Sequence, residues 1–258
     1  MRVVFLGTGT SHGIPVVACP CPVCASRDPR DRRYRSSILI EDGGVSVLVD
    51  AGPEFRLQAL RARITRLDAL LLTHAHADHL HGLDDLRPLS RGGPLRVYGE
   101  GSALRELKER FAYIFRETQA GGGKPRLDLV EAESGRPLEI GGLVFLPILI
   151  YHGRLPVLGW RIGDFAYLTD CSRIPEESFD LLAGVRVAVI DALRPAPHPT
   201  HFSLDEALGA ARRIGARETW LTHICHDASH EELERLCAER GRDVGARPAW
   251  DGLELELA

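Results

Sequence analysis

The stretch Thr73-His-Ala-His-Ala-Asp-His-Leu-His-Gly82 decides the fold of this chain, because it concentrates four histidines and an aspartate in one short segment. His74 and His76 are two residues apart, and on an extended loop such residues point to the same side. Both imidazoles can therefore reach one metal ion. Asp78 and His79 follow at a turn and can face a second ion. The segment predicts a two-metal site.

The segment before this motif is predicted to be a buried strand. Residues 67–72 are apolar except for Asp68, and such a run indicates a strand covered on both faces. The ends of buried strands are where α/β folds place their ligand sites. We therefore favour metal binding over the alternative that these are solvated loop histidines.

Short apolar runs and helical patterns alternate along the whole chain, with no linker or repeat between them. Twelve further runs predict strands, at residues 3–6, 38–40, 45–49, 95–98, 126–130, 138–140, 143–150, 158–162, 165–168, 185–190, 219–221 and 253–257. Helices are predicted at residues 53–62, 102–115, 175–182, 203–214 and 230–240. This order predicts one α/β domain over residues 1–258, a four-layer αββα sandwich with two packed sheets and helices outside.

Composition and charge narrow the class of protein. Of 258 residues, 44% are hydrophobic and 26% are charged, as in globular proteins. No apolar run reaches the ~18 residues of a membrane span, and the net charge of −4 gives no reason to expect nucleic-acid binding. The first apolar stretch is too short for a signal peptide, so we expect a cytoplasmic protein. Only Lys108 and Lys124 are lysines, which we attribute to codon bias.

A second metal site is predicted at about residues 19–24. The run Cys19-Pro-Cys21-Pro-Val-Cys24 places three thiols in one loop that prolines stiffen. In a reducing compartment these are metal ligands or free thiols rather than disulfides. The spacing suits a structural Zn²⁺ ion, which needs a fourth ligand. His226 is the candidate for that ligand and Cys225 is its competitor.

The complete His-x-His-x-Asp-His motif resembles the signature of the metallo-β-lactamase superfamily of metallohydrolases. The resemblance implies three further ligands, each directly after an apolar run: His152 as the third histidine, Asp170 as a bridging carboxylate and His223 as the last histidine. The full set then divides into two triads and a bridge: His74, His76 and His152 on one metal, Asp78, His79 and His223 on the other, and Asp170 between them.

The bridging position has an alternative, because some β-lactamase members of the superfamily use a cysteine there and Cys171 follows Asp170. The local Tyr-Leu-Thr-Asp run favours Asp170, and we interpret Cys171 as a small core residue. Nitrogen and carboxylate ligands suit Zn²⁺, Mn²⁺ or Fe²⁺. Two such ions, two aspartates and a bridging hydroxide leave a charge of about +1, which suits a singly charged phosphodiester.

Three features together resemble the PhnP subgroup, cyclic phosphodiesterases of the carbon–phosphorus lyase pathway. They are Gly-Thr-Gly-Thr-Ser-x-Gly-x-Pro at residues 7–15, the clustered cysteines, and Thr-His-x-x-His at residues 222–226. The resemblance implies His226 as the fourth zinc ligand, with Cys225 still open as the alternative. It also implies that His201 faces the substrate and protonates the leaving oxygen, with His198 as the weaker choice. Asp78 and His201 are the residues we assign to catalysis.

These observations predict a metal-dependent phosphodiesterase with two catalytic divalent metals and one structural zinc. It would hydrolyse a small cyclic phosphate or phosphodiester, such as a ribosyl 1,2-cyclic phosphate, by a metal-bridging hydroxide. The alternatives are a thioester, lactam or tRNA 3′-end hydrolase on the same scaffold, and a carrier protein like PqqB of pyrroloquinoline quinone synthesis. We expect a small phosphodiester substrate, no nucleic-acid or membrane partner, and allow for a homodimer.

Four other residues receive weaker interpretations. His81 and His230 are interpreted as solvated or helix-capping histidines. Arg154 and Arg194 lie close in sequence to the predicted metal-binding loops and are candidates for holding a terminal phosphate.

Overall fold

Two mixed β-sheets form the centre of the molecule in the computed structural model, which describes residues 1–117 and 123–257. The strands of the first sheet are β1 (Arg2–Gly7), β2 (Ser37–Asp42), β3 (Val45–Val49), β4 (Ala69–Leu71), β5 (Leu95–Gly99), β6 (Leu127–Glu131) and β14 (Glu254–Glu256). Their spatial order is β14-β1-β2-β3-β4-β5-β6, and the pairs from β3 to β6 are parallel.

The second sheet comes from the later part of the chain. Its strands are β7 (Leu138–Ile140), β8 (Leu143–His152), β9 (Leu155–Ile162), β10 (Phe165–Leu168), β11 (Val187–Asp191), β12 (Glu218–Thr222) and β13 (Ala246–Pro248). The order is β13-β12-β11-β10-β9-β8-β7, with parallel pairing from β10 to β13. Each sheet therefore has a parallel half, and parallel strands end at a common edge where ligands can gather.

Helices cover the outer face of each sheet. In the described ranges they are α1 (Phe55–Arg61), α2 (Ala77–Leu80), α3 (Gly101–Arg110), α4 (Ala112–Phe115), α5 (Glu176–Leu181), α6 (Leu204–Ile214) and α7 (His230–Arg240). Helix α6 begins at a capping box between Ser203 and Glu206 and ends at Gly215, whose φ is 81°. These capping signals fix both ends of the helix, which agree with the predicted residues 203–214 to within one residue.

The hydrophobic core has three layers, as a four-layer sandwich requires. The central layer lies between the sheets and includes Phe5, Trp160 and Tyr167, all at most 1% exposed. One outer layer joins the first sheet to α1 and α3, and the other joins the second sheet to α5, α6 and α7. Burying one large apolar side chain stabilises the fold by about 1.5–3 kcal/mol. The predicted αββα sandwich is confirmed.

The ends of several predicted elements differ from the structure by one to three residues, β13 (Ala246–Pro248) was not predicted, and two further differences lie close to the site. The helix predicted at residues 102–115 is divided at Phe111, whose backbone leaves the helical region with φ −108° and ψ 37°. The strand predicted at residues 67–72 pairs only over Ala69–Leu71, because the chain turns away after it to form the metal-binding loop. Within the described residues, no helix is long and apolar enough to cross a membrane.

Candidate metal centre and active site

The loop between β4 and α2 brings the first triad together. The rings of His74 and His76 lie 4.5 Å apart between centroids, and the ring of His152, at the end of β8, lies 5.7 Å and 5.2 Å from them. One donor atom of each histidine falls within 4.8 Å of the others. Three imidazoles from the two sheets therefore converge on one point, and the side-by-side placement of His74 and His76 follows from their i, i+2 spacing.

The second cluster contains Asp78, His79, Asp170 and His223, all buried. Oδ2 of Asp170 lies 3.1 Å from His79 Nε2 and 3.1 Å from His223 Nδ1, while its Oδ1 lies 3.9 Å from His74 Nε2. Asp170 thus stands between the two sets of ligands, which is the position of a bridge. Cys171, next to it, is fully buried in the outer core layer of the second sheet.

Two of these ligands have a left-handed backbone conformation that sets the direction of their side chains. Asp170 and His223 follow β10 and β12, and their φ angles are 55° and 58°. Non-glycine residues in this left-handed region are strained by about 1–3 kcal/mol each, and such strain concentrates at functional sites. The strain lets the chain turn sharply at each strand end and point the side chain at the neighbouring sheet.

The donor atoms of the two clusters fit divalent metal ions. Nε2 of His74 is buried and has no hydrogen-bond partner in the part of the chain that the structure describes, and Nε2 of His79 faces the carboxylates of Asp78 and Asp170 at 3.1 Å without a well-aligned hydrogen bond. Unpaired buried polar atoms are costly, and in native proteins each needs an explanation. Burial lowers the pKa of His74 well below its usual range and that of His223 to about 3, which keeps both imidazoles neutral. Neutral imidazoles and carboxylates are metal ligands, so the residues fit a pair of ions.

Supporting contacts hold the ligands in place, as they do in most metal sites. His79 donates from Nδ1 to Oδ2 of Asp50 at 2.7 Å, and Asp50 also accepts hydrogen bonds from the amide and hydroxyl of Thr73. His152 donates from Nδ1 to the carbonyl of Thr200 at 2.7 Å. The sequence reasoning missed Asp50. Its position directly after the apolar strand β3 could have identified it, because Asp170 was identified by the same pattern.

His201 lies against the ligand cluster from the side of β11. Its ring is 4.5 Å from that of His152 and 4.8 Å from that of His223. Its Nδ1 donates to Oδ2 of Asp191 at 2.7 Å. Burial lowers the pKa of His201, but the hydrogen bond and charge of Asp191 outweigh it, so that the pKa is raised. An imidazole with a raised pKa holds its proton near neutral pH and can serve as a general acid.

Asp191 is the second supporting residue that sequence reasoning missed. It is fully buried at the end of β11; burial raises its pKa, and the hydrogen bond and charge of His201 oppose that rise. The backbone amide of Cys171 also donates to Oδ2 of Asp191, at 2.7 Å. Its position at the end of a predicted strand could have indicated a functional role. Its contact with His201, however, is evident only from the tertiary structure.

A cavity of about 320 Å³ opens beside His201 and extends to His226. Its lining is mostly polar: Thr10, Ser11, His12, Leu193, Arg194, His198, His201, Cys225, His226 and Asp227. Arg194 and His198 therefore lie on its wall, where Arg194 is 3.5 Å from Asp227. Arg154 lies in an exposed position instead. The volume suits a small polar molecule.

The cysteine cluster is assembled around His226. Its Nδ1 lies 3.4 Å from each of the Sγ atoms of Cys19, Cys21 and Cys24. The amide of Cys24 donates to Sγ of Cys21, and this contact, with His226, lowers the pKa of Cys21 to about 6. Equal distances from one nitrogen to three sulfurs are what a closed four-ligand site requires. Cys225 is buried and is not part of this cluster.

His230 corrects one interpretation from the sequence. It begins α7 but is completely buried rather than solvated. Its Nδ1 accepts a hydrogen bond from Nη2 of Arg33 at 3.1 Å, and its amide donates to Asp31. The histidine thus ties α7 to the N-terminal loop, a contact across almost 200 residues that no local pattern predicts. His81 is exposed, as expected.

Comparison with known proteins gives consistent matches. The family described as beta-lactamase superfamily domain matches residues 46–224. The crystal structure of a new diphosphatase from the PhnP family has a TM-score of 0.90 and 40% identity, over 100% of this chain and 98% of that chain. The coenzyme PQQ synthesis protein B of Methylobacterium radiotolerans is 36% identical over 95% of this chain and 88% of that protein.

A third relative is longer than this chain. The octanoyltransferase of Porphyromonas gingivalis is 43% identical over 98% of this chain, which spans 51% of the length of that protein. The chain therefore corresponds to about half of this relative.

Fold, site and matches together define the class: the chain belongs to the beta-lactamase superfamily domain family and is a hydrolase with the metallo-β-lactamase fold. Within that class it is a PhnP-type hydrolase, which confirms the resemblance found in the sequence. The fold and the histidine–aspartate cluster indicate divalent metals such as Zn²⁺.

Proposed function

We propose that this chain is a di-metal phosphodiesterase that hydrolyses a small phosphodiester or cyclic phosphate. The observation that carries the proposal is the position of His201, which contacts the ligand cluster while Asp191 holds its Nδ1 atom. An acid at the edge of a two-metal cluster is the arrangement that breaking a P–O bond needs. The PhnP-family diphosphatase, at 40% identity, supports phosphoester chemistry.

The proposed ligands form two sets, one for each metal ion, and share one bridging residue. His74, His76 and His152 would hold one ion, Asp78, His79 and His223 the other, and Asp170 both. Bound there, the ions would neutralise phosphoryl charge and lower the pKa of water. Asp50 keeps the ring of His79 in a single orientation, and Thr200 does the same for His152.

His201 supplies the proton that the products require. Oxygen from water forms a bond to phosphorus and releases a proton to solvent, the P–O bond to the leaving group breaks, and the leaving oxygen takes a proton from Nε2 of His201, which solvent then reprotonates. Nε2 is the available atom because Nδ1 is bound to Asp191. The carboxylate of Asp191 stabilises the imidazolium before transfer and keeps the ring directed at the cluster.

We also propose that Cys19, Cys21, Cys24 and His226 hold a structural zinc. Three thiolates in one loop repel each other unless a cation neutralises them, and the Nδ1 atom of His226 is 3.4 Å from all three sulfurs. The cluster would fix the segment of Cys225, His226 and Asp227, which forms one wall of the cavity of about 320 Å³. Its role is in folding rather than in the reaction.

A second candidate function is hydrolysis of a diphosphate bond, which the PhnP-family diphosphatase favours. The two reactions differ in the leaving group. A phosphate leaves readily, whereas the alkoxide of a phosphodiester needs a proton from an acid. Dependence on His201 therefore separates them: a strong requirement favours the diester and a weak one favours the diphosphate.

The test is a substrate panel with metal-loaded protein. It contains bis(p-nitrophenyl) phosphate, ribose cyclic phosphates, a dinucleoside diphosphate and a thioester. We expect the phosphodiesters to be cleaved and the activity to be lost on chelation and restored by Zn²⁺ or Mn²⁺. Cleavage of the thioester alone would show that the proposal is wrong. Binding without turnover of any substrate would favour a carrier role like that of PqqB.

A further inference from the structure

A second cavity lies beside the metal-binding loop and is distinct from the one next to His201. It has a volume of about 540 Å³ and is lined by His81, Arg110 and Phe111. The two cavities share no lining residue. One therefore borders the proposed acid, and the other borders the loop that carries the first two metal ligands.

One hydrogen bond connects the wall of this second cavity to the loop that carries His74 and His76. Nη1 of Arg110 donates to the carbonyl of Ala75 at 2.7 Å, and Ala75 stands between His74 and His76. His81 follows His79 by two residues at the end of α2. His76 is exposed, unlike the buried ligands His74 and His79. The wall of this cavity therefore adjoins the loop that carries the first two ligands, and one of those ligands is exposed.

The cavity wall is aromatic and basic. The ring of Phe111 meets that of His81 edge-on, at 5.9 Å between centroids. Phe111 lies between α3 and α4. The non-helical backbone at this residue, which divides the predicted helix, therefore also positions its ring. Arg110 is held in place by Ala75 and by an ion pair with Glu106.

We infer that this cavity is a subsite for an aromatic group attached to the phosphorus, such as a nucleoside. The inference rests on the proposed phosphodiesterase function. His201 protonates the leaving group, so the leaving group occupies the cavity at His201. The substituent that stays on phosphorus then lies in the other cavity, where a planar ring stacks on Phe111 and polar groups meet His81 and Arg110. Stacking on aromatic side chains is the usual way in which proteins bind bases.

The two-sided arrangement has a consequence for substrate choice. A cyclic phosphate has both ester oxygens in one small ring and fills one side of the centre. A linear diester with an aromatic retained group fills both sides. The structure therefore assigns the linear nucleoside diester as the better substrate of the two.

The experiment compares two diesters with the same leaving group, thymidine 5′-(p-nitrophenyl phosphate) and methyl p-nitrophenyl phosphate. For metal-loaded wild type we expect kcat/KM to favour the thymidine ester by roughly 5- to 100-fold, the range of base–aromatic stacking. Phe111→Leu keeps apolar bulk but removes the ring, and should abolish most of this preference through KM. Phe115→Leu is the matched control, because Phe115 is close by in the chain but lines a different cavity.

A second measurement separates failure of the inference from failure of the proposed function. Calorimetry with metal-loaded protein compares binding of thymidine 5′-monophosphate and methyl phosphate, and should show the same Phe111-dependent preference without turnover. Equal kcat/KM for both diesters, or equal loss in the Phe111→Leu and Phe115→Leu variants, would overturn the subsite. Absence of hydrolysis together with Phe111-dependent binding would retain the subsite and reject the phosphodiesterase.

Discussion

Nδ1 of His201 lies 2.7 Å from Oδ2 of Asp191, and both side chains are buried at the edge of the metal-ligand cluster. The carboxylate fixes which ring nitrogen is free, because the bound Nδ1 leaves only Nε2 to meet a substrate. It also raises the pKa of His201 against the effect of burial. One hydrogen bond thus sets the orientation and the proton affinity of the proposed acid.

The first prediction concerns this acid. His201→Ala should slow hydrolysis of diesters with poor leaving groups by roughly 10²–10⁴-fold. It should spare p-nitrophenyl esters, because p-nitrophenolate leaves without a proton. Steady-state kinetics on the two substrate types measures the difference. Equal losses on both would assign His201 to binding or structure.

The partner residue gives a related prediction. Asp191→Asn keeps the volume of the side chain but removes the charge that raises the pKa of His201. The protonated imidazole should therefore be lost at lower pH than in wild type, which moves the alkaline limb of kcat for poor leaving groups to lower pH. An unchanged pH profile would show that the charge of Asp191 is not what sustains the acid.

A third prediction tests the bridge. Asp170→Ala removes the carboxylate that faces both triads and should lower kcat by orders of magnitude, because the two ions would no longer be held together. Metal analysis should show loss of catalytic metal. Asp180→Ala, an exposed aspartate on α5, is the control and should keep full activity. Full activity and metal content in Asp170→Ala would exclude a bridging role.

The cysteine cluster gives a fourth prediction. Fully loaded protein should contain three metals per chain, and mild chelation should remove the catalytic pair before the closed cysteine site. Cys21→Ser should lower Tm more than kcat, since the cluster stabilises folding. Cys225→Ala should keep all three metals, because His226 completes the cluster. Two metals in wild type, with unchanged Tm in Cys21→Ser, would show that these cysteines are free thiols.

The fifth prediction is a pH dependence of stability. Burial and the nearby guanidinium of Arg33 lower the pKa of His230 to about 4, whereas an unfolded histidine titrates near 6.5. The folded state therefore binds fewer protons than the unfolded state between these values. The stability that His230 contributes is present above pH 6.5 and is lost as the pH falls toward 4.

His230→Asn checks this directly, because asparagine can still accept the hydrogen bond from Arg33 but does not titrate. Thermal melting should show a steeper fall of Tm between pH 6.5 and 4 in wild type than in the variant. Loss of metal at low pH affects both proteins and cancels in the comparison. Parallel curves would show that His230 does not contribute to acid sensitivity.

Local sequence was sufficient for the features that depend on neighbouring residues. The spacing of His74, His76, Asp78 and His79 predicts how these side chains turn toward a common point. Apolar runs predicted every strand of the described residues except β13, and apolar periodicity predicted α6 to within one residue of its ends. The family resemblance added His152, Asp170 and His223, which the structure brings together with the motif.

Only the tertiary structure decided the contacts between distant segments. Asp50 supports His79, Asp191 supports His201, and Arg33 meets His230. It also placed His226 rather than Cys225 at the three thiols. The physical reason is that periodicity records which face of an element is buried, whereas a hydrogen bond depends on strand order and on backbone turns. Left-handed backbone conformations such as those at Asp170 and His223 determine the direction of the side chain. The pattern of apolar residues does not predict them.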